Sequence, residues 1–217
     1  MTGPDDIRER PGVLLSVLSL ARELGFLGPG PVEPHIEHAL GFSTAVMNAS
    51  GGEVEEWRCV DLGSGGGLPG LVLAGLWPRS RWLLVDGSER RTRFLRESIV
   101  LLGGEDRIEV HTERAEVTGR DPACRGRFDL ATARGFGPPA ATAECAAPLL
   151  GVGGWLVVSE PPGGAADRWP AEALADLGFG PPTITTDVPA FMAVRLASPT
   201  PDRYPRRVGV PTKRPLF

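Results

Sequence analysis

Asp61 leads into the run Leu62-Gly63-Ser64-Gly65-Gly66-Gly67-Leu68-Pro69-Gly70, a carboxylate followed by a loop with almost no bulky side chains. Glycines allow positive φ and a close approach of backbone to ligand. Pro69 fits the opening of a helix, where its missing N–H costs nothing. In an open parallel sheet the turn after the first strand lies at the carboxyl end of the strands, where ligands bind. Gly65, Gly67 and Gly70 satisfy the G-x-G-x-x-G of dinucleotide-binding turns. Asp86 lies about 20 residues further on, where an acidic side chain accepts from ribose hydroxyls. Ser88 can cap the helix that follows, which leaves Asp86 free for that role.

These residues need a frame, and the apolar pattern supplies one. Leu14, Val17, Leu18, Ala21 and Leu24 recur at helical spacing, predicting a helix from Gly12 to Leu24. Ile36, Ala39, Leu40, Ser43, Val46 and Met47 predict a second, closed by Asn48 and Gly51-Gly52. From Trp57 onward short apolar runs at Arg58–Leu62, Trp82–Val85, Ile108–His111, Phe128–Thr132 and Trp155–Ser159 alternate with helical stretches at Pro69–Leu76, Ser88–Leu102 and Pro139–Leu150. Alternation of this kind implies an α/β fold, a doubly wound, mostly parallel sheet with right-handed crossovers. A helix at Ala171–Leu177 precedes the runs Thr183–Asp187 and Phe191–Leu196, split by Pro189 and spaced as an antiparallel hairpin at the sheet edge. The expected organisation is an N-terminal helical cap over 1–52, a ligand-binding domain over 53–200 and a basic tail over 201–217.

Bulk properties exclude several classes. With 217 residues, 41% hydrophobic and 23% charged, the chain can bury a real core. A net charge of −4 argues against general coating of nucleic acid, though not against a local basic patch. Cys59, Cys124 and Cys145 are odd in number and unpaired in spacing, so neither a disulfide framework nor a metal site is expected. His35 and His38 share a helix face without further ligands nearby, and no metal is assigned to them. The N-terminus carries Asp5, Asp6 and Glu9, the wrong sign for a secretory signal, and Val13–Ala21 is too short for a membrane span. A cytoplasmic protein is expected.

Asp61, Gly63, Gly65 and Gly67 together resemble motif I of S-adenosylmethionine-dependent methyltransferases. A carboxylate facing the loop suits the cofactor's ammonium, directly or through water, and would repel a pyrophosphate. Further matches accumulate. Asp61 to Gly70 resembles D-I-G-S-G-A-G-L-P-G of the bacterial 16S ribosomal RNA 7-methylguanosine methyltransferase family (RsmG, also called GidB). Asp86-Gly87-Ser88-Glu89-Arg90-Arg91 leading to Phe94-Leu95-Arg96, then Arg114-Ala115-Glu116 and Thr132-Ala133-Arg134, are similar to its later motifs. The segment from Arg203 through Tyr204-Pro205-Arg206-Arg207 to Leu216 resembles its terminal motif. The resemblance implies cofactor contacts at Gly63, Leu68, Asp86, Ala115, Glu116 and Arg134, with adenine against Leu68 and near the backbone of Ala115 and Glu116. Arg134 would stand at the pocket mouth as the residue assigned to catalysis. The substrate implied is ribosomal RNA or the small ribosomal subunit.

Ring nitrogen 7 of guanine has a free lone pair at neutral pH, so its methylation needs orientation and desolvation rather than proton removal. Accordingly, Arg134-Gly135-Phe136-Gly137-Pro138 lacks an Asn-Pro-Pro-Tyr-like tetrad of enzymes that methylate exocyclic amines. Phe136 is a candidate stacking surface for a flipped base. The tail sets Arg203, Arg206, Arg207, Lys213 and Arg214 against Asp202, with Tyr204 and prolines between them. It reads as an extended basic segment suited to RNA.

Two segments depart from the family. Gly25-Phe26-Leu27-Gly28-Pro29-Gly30-Pro31 stands where W-N-x-x-x-N-L-T is usual, and Ser159-Glu160-Pro161-Pro162-Gly163-Gly164 stands where Lys-Gly is usual. A glutamate at that mouth disfavours a polyanion. Other readings are therefore a relative that methylates a small molecule or another macromolecule, a non-catalytic cofactor-binding factor, and, more remotely, a nicotinamide-dependent oxidoreductase. The last lacks a Tyr-x-x-x-Lys, because Tyr204 is the only tyrosine.

Overall fold

Val60, Leu62, Leu83, Val85, Ala131 and Ala133 are all buried, and the strands that carry them lie side by side. The computed structural model describes residues 11–52, 54, 56–161, 166–185 and 188–217. The expectations resting on Asp5, Asp6, Glu9, Pro162, Gly163, Gly164 and Asp187, and the domain start at 53, lie outside the described residues.

Helices α1 (Pro11–Glu23) and α2 (Glu33–Ser50) come first. Strand β1 (Arg58–Leu62) is followed by α3 (Gly70–Leu76), β2 (Arg81–Asp86), α4 (Glu89–Leu102), β3 (Ile108–Thr112) and the single turn α5 (Ala115–Thr118). Then come β4 (Phe128–Ala133), α6 (Pro139–Ala146), β5 (Leu150–Ser159), α7 (Ala171–Ala175), β6 (Thr183–Ile184), β7 (Phe191–Arg195) and α8 (Val210–Lys213). The strands form one sheet in the order β3-β2-β1-β4-β5-β7-β6. The first five are parallel, and β7 runs antiparallel between β5 and β6. Strand order reverses direction between β1 and β4, the switch point at which such sheets bind ligands.

Local chemistry explains where the elements end. Gly51 and Gly103 close α2 and α4 in the left-handed conformation, as helix-terminating glycines do. The helix expected over Pro139–Leu150 stops at Ala146 instead, because Pro148 cannot donate within it and tightens the chain into a 3-10 turn. Strand β5 then starts at Leu150, earlier than its apolar run suggested.

The N-terminal helices are not a separate layer. Phe42, Ala45 and Val46 of α2 share one apolar cluster with Leu71, Leu84, Leu130 and Phe191 of the sheet and α3. Burying each large apolar side chain contributes about 1.5–3 kcal/mol, so α2 belongs to the sheet's own core. The tail also departs from expectation. Tyr204 is buried, and the peptide carbonyls of Thr200, Pro201 and Tyr204 all accept from the Arg125 guanidinium. The segment read as extended folds back onto α5 and α6 instead.

Candidate functional site

Register places the first group of site residues. Asp61 pairs with Leu84 on β2 and with Thr132 on β4. On one side its Oδ1 accepts the Thr132 hydroxyl at 2.8 Å, and on the other its Oδ2 accepts the Gly70 N–H at 3.3 Å. Only 1% of Asp61 is exposed. Burial pushes its carboxyl up to about 7, with the bonds from Thr132 and Gly70 opposing. The carboxylate therefore lies beneath the glycine loop and braces it. The expectation was a carboxylate that faces the loop and holds a ligand ammonium directly or through water; here both its oxygens are taken up beneath the loop by Thr132 and Gly70.

The loop itself turns on Gly63, Gly65 and Gly67, all at positive φ. A Cβ on Gly63 would stand 2.9 Å from Cδ2 of Phe136, so the Phe136 ring rests on bare backbone. The Gly65 N–H donates to Asp86 Oδ2 at 3.0 Å, while Asp86 Oδ1 takes the Ser88 N–H at 2.8 Å. The Ser88 side chain makes no capping bond to α4, so the expectation that it frees Asp86 is corrected. Asp86 holds loop and helix start together. Each carboxylate oxygen carries a second lone pair, and Asp86 still lines a cleft of about 150 Å³ with Gly63, Val85, Arg114, Ala115 and Phe136.

Of the expected contacts, Leu68 and Glu116 face elsewhere and Arg134 is tied to α2. Leu68 is buried with Leu18, Val32, Ala39 and Val72, seating the loop on α1 and α2, and it is not part of the cleft wall. Glu116 is 2% exposed, with Oε1 accepting the Gly209 N–H at 2.8 Å from the tail. Its Oε2 has no hydrogen-bond partner, only the Arg114 Nε at 3.5 Å. Arg134 reaches from the end of β4 to α2, where its Nη2 donates to His35 Nδ1 at 2.6 Å. Its Nη1 is buried without a partner. Burial lowers the Arg134 pKa and the Asp61 charge opposes that shift. His38, one turn along, is pushed down to about 4 by burial, with the positive charge of Arg134 adding to it.

A second cavity, about 290 Å³, opens at the carboxyl ends of β4 and β5 and shares Phe136 with the first. Glu160 lies in its wall, 7% exposed. Its Oε1 accepts the Trp169 Nε1–H at 2.9 Å, and its Oε2 is hydrogen-bonded by Arg168 Nη1. The acidic residue that argued against a polyanion is thus neutralised within the fold. No motif marks Arg168 or Trp169, and only their position beside Glu160 in space reveals them.

The tail's basic residues are divided. Arg206 meets the fully buried Glu144 through Nε–Oε1 at 2.8 Å and Nη2–Oε2 at 2.6 Å. Arg203, Arg207, Lys213 and Arg214 remain exposed. Among the described residues there is no group of three or more acidic, histidine or cysteine side chains able to hold a metal. None of their helices is long and apolar enough to cross a membrane.

The sheet order, the glycine turn at its switch point and the cleft beside Asp86 define a Rossmann-like methyltransferase fold. A putative O-methyltransferase from Klebsiella pneumoniae is similar over 86% of this chain and 90% of its own, with a TM-score of 0.59 at 14% identity. A putative rRNA-methylase from Clostridium thermocellum is similar over 74% of this chain and 97% of its own, with a TM-score of 0.54 at 17% identity. At such identities the likeness is one of fold. Sequence narrows it further. The model of the family described as "GidB: rRNA small subunit methyltransferase G" matches residues 17–160. Proteins named ribosomal RNA small subunit methyltransferase G from Synechococcus sp. (strain WH7803) and Prochlorococcus marinus (strain MIT 9313) are 38% and 42% identical over 73% of this chain. The aligned part spans 66% and 68% of those two relatives. The chain belongs to this family.

Proposed function

We propose that this protein is an S-adenosylmethionine-dependent methyltransferase acting in the cytoplasm on ring nitrogen 7 of a guanine in small-subunit ribosomal RNA. The observation that carries the reading is the bond from Gly65 N–H to Asp86 Oδ2 at the cleft. It ties a turn open enough for close backbone approach to a carboxylate suited to ribose hydroxyls.

The residues present fit that cofactor. Asp86 keeps lone pairs for a ribose, and Ala115 lies in the cleft wall on the side expected for adenine. The orphaned Nη1 of Arg134 is a buried cationic donor lacking an acceptor, a cost that a ligand carboxylate removes. Arg134 thereby serves the methionine end. Leu68 and Glu116 act behind the site, the first by seating the loop and the second by holding the α5 turn to the tail.

The cofactor, when bound, supplies an electrophilic sulfonium methyl group. Guanine N7 already carries the attacking lone pair, so no side chain has to remove a proton. The protein's task is to orient donor and acceptor and to exclude water between them. Phe136, the residue shared by both cavities, stands where donor and acceptor would meet.

The test is calorimetric titration with S-adenosylhomocysteine, followed by transfer of a labelled methyl group to small-subunit ribosomal RNA from cells lacking the gene. Binding weakened by Asp86→Ala, with label recovered at a guanine N7, is expected. Label found only in low-mass products, or binding of NADH in preference to S-adenosylhomocysteine, would overturn the reading.

A further inference from the structure

We propose that the cavity beside Glu160 is the acceptor-nucleotide site, and that Arg168 recognises an oxygen of the incoming guanine nucleotide there. This assignment rests on the function proposed above and adds the substrate-facing residue to it.

The placement comes first. The cavity's wall includes Phe136, Ser159, Glu160, Arg168 and Trp169, and Phe136 is the one residue shared with the cleft of Gly63 and Asp86. Its volume of about 290 Å³ lies at the lower end of small-molecule sites, roughly 300 Å³, a size suited to one extruded base. It opens at the carboxyl ends of β4 and β5, on the same edge of the sheet as the glycine turn. A nucleotide seated there lies across the Phe136 ring from the proposed methyl donor.

The chemistry comes next. A buried ion pair stabilises little in net terms, because desolvating two charges offsets their attraction. Glu160 and Arg168 nevertheless pair at the wall of a cavity, with Trp169 Nε1 fixing the other carboxylate oxygen. The side chain of Glu160 is 2% exposed and that of Arg168 is 34% exposed. The carboxylate is therefore the buried anchor, and the guanidinium is the part that reaches the opening. Glu160 is a positioning residue, and Trp169 holds it in place.

The reaction restricts what Arg168 can do. An unencumbered arginine forks onto O6 and N7 of guanine, which would consume the lone pair that must attack the methyl group. Nη1 of Arg168 is already committed to Glu160, and its remaining N–H groups serve the reaction only by meeting an oxygen acceptor. That acceptor is the base carbonyl O6 or a phosphate oxygen of the same nucleotide, and N7 stays free.

The experiment compares wild type with Arg168→Gln, Glu160→Gln and the double variant, measuring methyl transfer to small-subunit ribosomal RNA and S-adenosylhomocysteine affinity in parallel. The double variant removes both charges together, so it avoids leaving Glu160 buried without a partner. Arg168→Gln is expected to raise KM for RNA by about tenfold or more, with kcat changed far less and S-adenosylhomocysteine affinity unaltered. Glu160→Gln shifts KM in the same direction, and the double variant is no worse than Arg168→Gln, the non-additivity expected of residues acting as one unit. If Arg168 meets a phosphate, Arg168→Gln flattens the dependence of log KM on log salt by about one unit, whereas if it meets O6 the variant leaves the slope unchanged. Either slope supports the site and names the atom. KM within twofold of wild type in both Arg168→Gln and the double variant, with cofactor binding intact, would overturn it. Wild-type protein that binds S-adenosylhomocysteine but methylates no RNA would instead overturn the proposed function, and this assignment with it.

Discussion

Arg134 at the end of β4 donates from Nη2 to Nδ1 of His35 in the first turn of α2, across 2.6 Å and 99 residues of sequence. An arginine has only donors, so His35 Nδ1 is the acceptor and the ring proton sits on Nε2. The bond aims the guanidinium and leaves its Nη1 buried without a partner. Replacing His35 with Ala releases that aim. S-adenosylhomocysteine affinity is expected to fall by about tenfold, the size of one hydrogen bond to a charged group, and Arg134→Ala should cost at least as much. Unchanged calorimetric affinity in both variants would remove Arg134 from the cofactor site.

Asp61 gives a pH signature. Its carboxyl is raised from 3.8 to about 7 by burial, so the folded state holds a proton that the unfolded chain releases near pH 4. The resulting stabilisation is complete below about pH 4 and is lost as pH rises through about 7. Asp61→Asn abolishes that slope. The difference in unfolding free energy between the two proteins, measured by denaturant titration from pH 4 to 8, should therefore shift by up to roughly 4 kcal/mol. A difference that stays flat across the window would show that Asp61 is ionised throughout.

His38 acts in the opposite sense over a neighbouring range. Its pKa is lowered from 6.5 to about 4, so its contribution is present above pH 6.5 and is lost as pH falls towards 4. In an Asp61→Asn background, His38→Asn should leave stability flatter between pH 6.5 and 4. Denaturant midpoints in the two backgrounds measure the effect directly.

Glu144 is fully buried, and Arg206 is its partner through both carboxylate oxygens. Arg206→Ala leaves an uncompensated buried charge and is expected to cost about 3–5 kcal/mol. Arg206→Ala with Glu144→Gln should recover part of that loss. Deleting 203–217 should lower the melting temperature as well as activity, since Gly209 also holds Glu116. A truncated protein that melts like wild type but no longer binds RNA would restore the reading of the tail as a free arm.

Gly63 has φ +68, and a Cβ there meets Phe136 at 2.9 Å. Gly63→Ala should cost about 1–3 kcal/mol of backbone strain, and it displaces the ring between the two cavities. A drop in kcat that exceeds the loss of cofactor affinity is the expected kinetic mark.

The alternation of strand and helix, the glycine turn and the edge hairpin were legible because they rest on local periodicity and on residues whose backbone preferences travel with them. Asp86 was legible for the same reason, as a carboxylate at the end of an apolar run one crossover past the turn. Element ends were less so. Pro148 shortened α6 where the run of alanines continued.

The sequence by itself thus determined the parallel sheet, the loop that a cofactor can approach and the carboxylate beside it. Tertiary structure alone decided which way the other polar side chains face. Asp61 braces the loop from below because register sets Thr132 beside it. Glu144 and Glu116 draw the basic tail inward, and Glu160 loses its isolated charge to Arg168. A buried charge must find a partner, because desolvation costs more than a bare ion can recover. For Asp61, Glu116, Glu144 and Arg134 those partners lie tens of residues away, at separations that local periodicity does not encode.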